Sequence, residues 1–263
     1  MTEGTARRML MLHYGAEPSP KSISVRGAPD RIIWCPIIGA AVETNDGWVL
    51  LDTGIGRTLL GDEASRTAIY TSEEQPWGVG ADPFLSALEG VGLTPADFVL
   101  AAVSHLHVDH TGGLRHLAEA DVGVCVQAEE LAFAFEKAGL TEAYYRPDYI
   151  DTGIDWRELA GDAVLAPGVH VLSTPGHTPG HMSYRVDLPE TGSWLLAMDA
   201  ADLGENLNDR VPPGPTADPA DAGRAEASLR RLLVERDLLN ARLVPGHDTA
   251  FWRAVGHPSG GHR

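Results

Sequence analysis

Basic residues are scarce in this sequence: Lys and Arg number 20 against 37 Asp and Glu, for a net charge of −17 at pH 7. A nucleic-acid binder needs a basic surface to displace counterions from phosphates, so no nucleic-acid partner is expected. Cysteine is nearly absent. Cys35 and Cys125 stand apart, neither in a CxxC spacing, which argues against a disulfide framework and reads them as small buried strand residues. Long apolar runs are missing as well. Near the start, only Met9 to Leu12 are apolar after Arg7 and Arg8, short of the roughly 7–15 residues of a secretory core. No run approaches the roughly 18 apolar residues of a membrane helix. The cytoplasm is therefore the default, with no membrane partner. There is also no GxSxG signature of a serine nucleophile, and no low-complexity linker or short repeat divides the chain.

What is present is an alternation of strands and helices. Ile32 to Ile38 and Ala40 to Val42 run apolar, Asn45-Asp46-Gly47 reads as a turn, and Trp48 to Leu51 follow, which predicts a β-hairpin. Its second strand ends in Asp52-Thr53-Gly54. Asp82-Pro83 predicts a helix start with Phe84, Leu85 and Leu88 on the apolar face. Phe98 to Val103 predicts a strand that runs straight into SHLHVDHTGG, with another helix beyond Gly112-Gly113. Val122–Val126, Val169–Ser173, Met182–Val186, Trp194–Met198 and Leu243–Val244 read as further strands. Glu129–Lys137 reads as a helix, and the last long helix starts at Asp218-Pro219. Gly204–Asp218 reads as a loop. Residues 140–162, with Tyr144, Tyr145, Tyr149 and Trp156, are the least regular part, either an insertion over a pocket or a surface loop pinned by aromatics. One α/β domain spanning 1–263 is the economical reading, with every histidine cluster just after a strand end, where ligands usually sit.

His105, His107, Asp109 and His110 crowd one short loop. Three imidazoles and a carboxylate are costly to desolvate together unless a cation orders them. Nitrogen and carboxylate donors suit zinc first, with manganese, iron or cobalt compatible. His177, Asp199 and His247 on three further loops bring the set to seven donors. That is too many for one tetrahedral ion and points to two divalent ions with a bridging carboxylate.

HLHVDH with these downstream donors resembles the HxHxDH hallmark of the metallo-β-lactamase superfamily. The resemblance runs from about Ile32 to Asp248. It implies a four-layer αβ/βα sandwich with the site at one edge of the two sheets. It also implies one metal on His105, His107 and His177, the other on Asp109, His110 and His247, with Asp199 bridging. Asp52 in LLDTG matches the aspartate that orients a ligand histidine in that family, and His181 in PGHTPGH reads as a supporting rather than a ligating residue. His13, His116, His170, His257 and His262 are given no role.

Within the superfamily, the bridging Asp199 is unlike the antibiotic-hydrolysing branches. The acidity and lack of an added clamp domain are unlike the nucleases. The short stretch after His247 is unlike glyoxalase II, and His107 is unlike the flavodiiron reductases. The sequence is most similar to the N-acyl-homoserine lactonase group, through WCPIIGAAVETNDGWVLLDTG, SHLHVDHTGG, STPGHTPGH, LLAMDA and PGHD. That resemblance implies opening of a small-molecule lactone ring by a hydroxide held between two metals. Asp109 is then the candidate to carry a proton to the leaving alkoxide, with Asp202 as runner-up; a homodimer is compatible. The sequence departs from the group at one position. The group carries a tyrosine three residues after the bridging aspartate, which donates to the substrate carbonyl, and here that position is Asp202. A carboxylate ionised beside two cations accepts a hydrogen bond but does not donate one. Another lactone, an ester or thioester, or a tyrosine supplied from 144–149, would also fit. The rival readings are a mono-iron sulfur dioxygenase and a non-catalytic metal-stabilised binding protein.

Overall fold

The computed structural model describes residues 4–263, so the first three residues of the expected 1–263 unit lie outside the described residues. The strands are β1 (Arg8–Pro20), β2 (Ile32–Glu43), β3 (Trp48–Leu51), β4 (Trp77–Gly78), β5 (Phe98–Ala102) and β6 (Val124–Gln127). They continue as β7 (Trp156–Leu159), β8 (Ala163–Ala166), β9 (Val169–Ser173), β10 (Met182–Leu188), β11 (Gly192–Leu196) and β12 (Arg242–Val244). They form a seven-stranded sheet, β4-β1-β2-β3-β5-β6-β7, and a five-stranded sheet, β12-β11-β10-β9-β8.

The period-two alternation of side chains assigns the layers. On β2 and β3, Ala40, Val42, Val49 and Leu51 face inward, meeting Val171, Met182, Tyr184, Trp194 and Leu196 of the second sheet. The alternate residues Ile37, Ala41 and Leu50 face the other way, packing with Phe84, Leu88, Leu114 and Phe133 of the helices on that side. On the second sheet, Leu172 and Leu195 turn outward to meet Leu229, Leu232 and Leu233 of the helix Ala222–Leu239. Helices, sheet, sheet and helix thus make four layers, as expected. Each fully buried Leu, Ile or Phe contributes roughly 1.5–3 kcal/mol of burial free energy.

Several local expectations shift. The helix Pro83–Gly90 is capped by Asp82, whose side chain accepts from the Leu85 backbone N–H, but Leu85 faces solvent and Ala87 takes its place inside. β1 was not predicted. Two prolines and a glycine mask its pattern, and pairing with β2 along its whole length supplies the stability that local propensity withholds. The 140–162 segment is neither wholly insertion nor wholly loop. Tyr144, Tyr145 and Tyr149 are buried, and its end, β7, pairs in parallel with β6 to close the sheet edge. A short helix, Gly204–Asp209, interrupts the predicted 204–218 loop, and Asp218 caps a turn that precedes the long helix. Among the described residues no helix is long and apolar enough to cross a membrane.

Candidate metal centre

Five strands deliver their C-terminal ends to one edge of the sandwich. β3 ends at Asp52, β5 runs into His105–His110, β9 into the His177 loop, β11 into Asp199, and β12 into His247. The Gly-Gly after the histidine loop is a packing requirement: a Cβ on Gly112 would lie 2.2 Å from the backbone of Ile55 and Gly56. Only glycine lets the histidine loop and the loop after Asp52 approach this closely.

The seven predicted donors converge as two groups. His105, His107, His177 and Asp199 form one; Asp109, His110, Asp199 and His247 form the other. Asp199 divides its oxygens between them. Its Oδ2 lies 3.8 Å from His105 Nε2 and 3.3 Å from His177 Nε2, while His107 Nδ1 is 3.0 Å from His177 Nε2. Its Oδ1 lies 3.3 Å from His110 Nε2 and 3.1 Å from His247 Nε2. Asp109 Oδ2 completes the second group, 3.0 Å from His110 Nε2 and 3.5 Å from His247 Nε2.

Two observations test whether divalent cations fit. His105 Nε2 is buried without a hydrogen-bond partner, an arrangement that costs free energy unless something else binds that lone pair. Burial and the neighbouring imidazoles also hold His105 and His107 well below the usual histidine range. They are neutral there, as a ligand must be. At His110 and His247 burial opposes the charge too, but the surrounding carboxylates outweigh it and raise both. The residues fit the group.

The supporting residues fix how the imidazoles point. His110 Nδ1 is 2.7 Å from Asp52 Oδ2, which leaves Nε2 turned to the cluster. Asp52 is itself held by the Ser104 backbone N–H at 2.5 Å and the Tyr184 hydroxyl at 3.0 Å. It sits at φ 60°, a conformation a non-glycine residue adopts only when its surroundings impose it. His247 Nδ1 lies 3.0 Å from the Pro36 carbonyl. Both nitrogens of His181 are occupied: Nδ1 lies 3.0 Å from the Thr174 carbonyl, and Nε2 accepts from the Asp199 N–H at 3.1 Å. His181 therefore orients Asp199 and has no free nitrogen for a cation.

Three functional positions were not singled out from sequence. Glu130, fully buried, accepts from Leu106 N–H at 2.9 Å, Tyr144 OH at 2.8 Å, Thr178 OH at 2.6 Å and Gly180 N–H at 3.2 Å. It ties the His105–His110 loop to the His177 loop. In sequence it reads only as an acid in the first turn of a helix. Glu17 on β1 and Tyr70 line a cavity of about 800 Å³ together with His107, Asp109, His177, Asp199 and His247. The Tyr70 hydroxyl donates to Glu17 Oε2 at 2.5 Å. Burial, with Asp109 close by, pushes the Glu17 carboxyl up to about 8 in the absence of cations, and divalent ions held by the neighbouring donors would favour its ionised form. No local pattern signals either residue.

Asp202 is buried in the same cavity wall, its Oδ1 without a hydrogen-bond partner. Burial and the neighbouring Asp199 push its carboxyl well above the usual range. Tyr144 is spent on Glu130, and Tyr145 donates to Asp62 at 3.2 Å. Leu140, Thr141, Glu142 and Ala143 line the cavity, whereas no tyrosine of 144–149 does so. Neither Lys nor Arg lines it among the described residues.

An αβ/βα sandwich with two histidine–aspartate groups sharing one carboxylate at the sheet edge defines a metal-binding protein of the metallohydrolase class. The chain belongs to the metallo-beta-lactamase superfamily, whose sequence profile matches residues 40–247. It is 31% identical over 192 residues to an N-acyl homoserine lactonase of Bacillus thuringiensis, covering 73% of this chain and 74% of that protein. It is 30% identical over 231 residues to the N-acyl homoserine lactonase AttM of Azorhizobium caulinodans, covering 81% of this chain and 86% of that one. Among solved structures it superposes on an N-acyl homoserine lactone hydrolase with the product N-hexanoyl-L-homoserine bound at its catalytic metal centre. That match has a TM-score of 0.84 and 27% identity, over 95% of this chain and 96% of the other.

Proposed function

We propose that this chain is a metal-dependent lactonase of one domain, residues 1–263, acting on N-acyl-homoserine lactones. The observation that carries the reading is the divided Asp199 carboxylate, facing two histidine groups at the floor of an open cavity. The relatives of about 30% identity named above point the same way. His105, His107 and His177 would hold one divalent ion, Asp109, His110 and His247 the other, and Asp199 both, with zinc the metal that this nitrogen and oxygen set favours. Such ions, when bound, lower the pKa of water and polarise a carbonyl oxygen.

The protein's own groups do the rest. Asp109 lines the cavity at the floor and carries a proton toward the leaving alkoxide, and Asp202 is the second candidate for that role. The cavity walls near Ile23, Ile32, Ile69, Leu140 and Ala217 are apolar and suit an acyl chain. Its polar side is acidic or neutral, with Glu17, Asp30, Glu142 and Asp202 and no cation. That favours a neutral lactone over thioesters whose carriers bear phosphates or carboxylates. Cys35 and Cys125 are buried free thiols, which suits work in the cytoplasm.

The test is a panel of N-acyl-homoserine lactones, other lactones, linear esters and thioesters on protein of measured metal content. Faster opening of the homoserine lactones, with about two divalent ions per chain, is the expected result. Bound iron with oxygen consumption would assign the sulfur dioxygenase reading instead.

A further inference from the structure

The Glu17–Tyr70 pair has no part in holding the ligand cluster, and its placement follows from strand register. β1 pairs with β2 so that Ala16 faces Pro36 and Glu17 faces Cys35. The Pro36 carbonyl is the group that fixes His247. Glu17 thus stands one rung from the anchor of a metal-site histidine, and both it and Cys35 line the cavity. Tyr70, which follows the helix Glu63–Ile69, reaches across to donate to Oε2 at 2.5 Å. Tyr70 is nearly buried and spends its proton on that bond. The other carboxylate oxygen, Oε1, takes no hydrogen bond from any described residue. A carboxylate on the cavity wall, fixed by one oxygen and with neither Lys nor Arg among the described lining residues, is an acceptor set to receive a neutral donor.

We propose that Glu17, held in place by Tyr70, is a specificity-determining residue that accepts a hydrogen bond from an N–H donor beside the scissile carbonyl. On the lactonase reading, upon which this rests, that donor is the amide N–H on the ring carbon next to the lactone carbonyl. Substrates of equal length in which CH2 replaces the N–H keep the acyl carbonyl and lose this bond.

Two substrate pairs test it. One is N-hexanoyl-homoserine lactone against α-(2-oxoheptyl)-γ-butyrolactone, in which CH2 replaces the amide N–H and the side-chain carbonyl is kept; the other is the corresponding pair of hydrolysis-resistant lactams, followed by equilibrium binding to metal-loaded protein. The native chain is expected to prefer the amide-bearing member in both. Glu17→Gln, nearly isosteric, is expected to reduce that preference about tenfold or more, the scale of a hydrogen bond to a charged group. The change should lie mainly in KM and in lactam affinity rather than in kcat. Tyr70→Phe, which frees the carboxylate without removing it, is expected to reduce the preference by a smaller factor. An equal loss on both members of a pair, or an unchanged preference in Glu17→Gln, would overturn the proposal. If the native protein binds the lactams but opens neither lactone, the lactonase reading fails, and the preference between the lactams still decides the role of Glu17.

Discussion

Asp199 touches both ligand groups, whereas each histidine belongs to one, so removing them should differ in kind. His107→Ala is expected to weaken one ion and leave the other, while Asp199→Ala should deplete both. Elemental analysis after dialysis checks this, and full activity with both metals in Asp199→Ala would contradict the bridging role. His181→Ala should cost less metal and less activity than His177→Ala, because the nitrogens of His181 are spent on Thr174 and the Asp199 backbone. Asp202 separates two mechanisms. If the carbonyl is activated without it, Asp202→Asn keeps activity within about tenfold and Asp202→Tyr holds or raises it on homoserine lactones. This is the outcome we expect, since Asp109 already lies at the floor. A loss of about 10²-fold in Asp202→Asn with both metals retained would instead mark an acid–base group.

At the scale of elements, the 140–150 stretch is pinned by a carboxylate that resists ionisation. Asp148 is buried, with Thr111 donating to its Oδ2 at 3.0 Å, and burial pushes its carboxyl up to about 7. The folded chain therefore keeps a proton that the unfolded chain releases at the ordinary carboxylate pKa. Between about pH 4 and 7 the folded state binds more protons, so this group's contribution to stability falls as pH rises through that window. Asp148→Asn retains an acceptor for Thr111 and removes the titration. It is expected to be more stable than the parent at pH 8, by up to about 4 kcal/mol and so with a higher melting temperature, and to melt at nearly the same temperature at pH 4. Thermal unfolding across that range checks the sign, and a lower melting temperature at pH 8 would contradict it. Glu130 acts at the same scale, joining the loops that carry His105 and His177 through four accepted hydrogen bonds.

For the molecule as a whole, a net charge of −17 and a cavity lined without Lys or Arg act in one direction. Anionic substrates meet an unfavourable field on approach, and the carboxylate formed by hydrolysis meets the same field as it leaves. Thioesters of anionic carriers are therefore expected to be poor substrates whose kcat/KM rises with added salt as the repulsion is screened. Neutral lactones should show little salt dependence. Rates between low and physiological ionic strength check this, and a kcat/KM for the anionic thioester that falls with salt would refute it.

The sequence by itself determined the α/β class and the candidate donors. Alternating strands and helices specify one α/β domain, and the resemblance carried by HLHVDH and its downstream donors implies the four-layer sandwich. Imidazoles and carboxylates crowded after a strand are rare enough in type and spacing to announce a cation site. It left unread whatever depends on residues distant in the chain. β1 shows no clean pattern and exists because β2 completes its hydrogen bonds. Glu17 and Tyr70 are 53 positions apart and become a pair only when β1 and the segment after Glu63–Ile69 wall one cavity. Only tertiary structure shows which polar groups come together, which hold them in place and which line the cavity. Those placements depend on distances of 2.5–4 Å that local sequence does not encode, such as the Tyr70 hydroxyl that fixes Glu17.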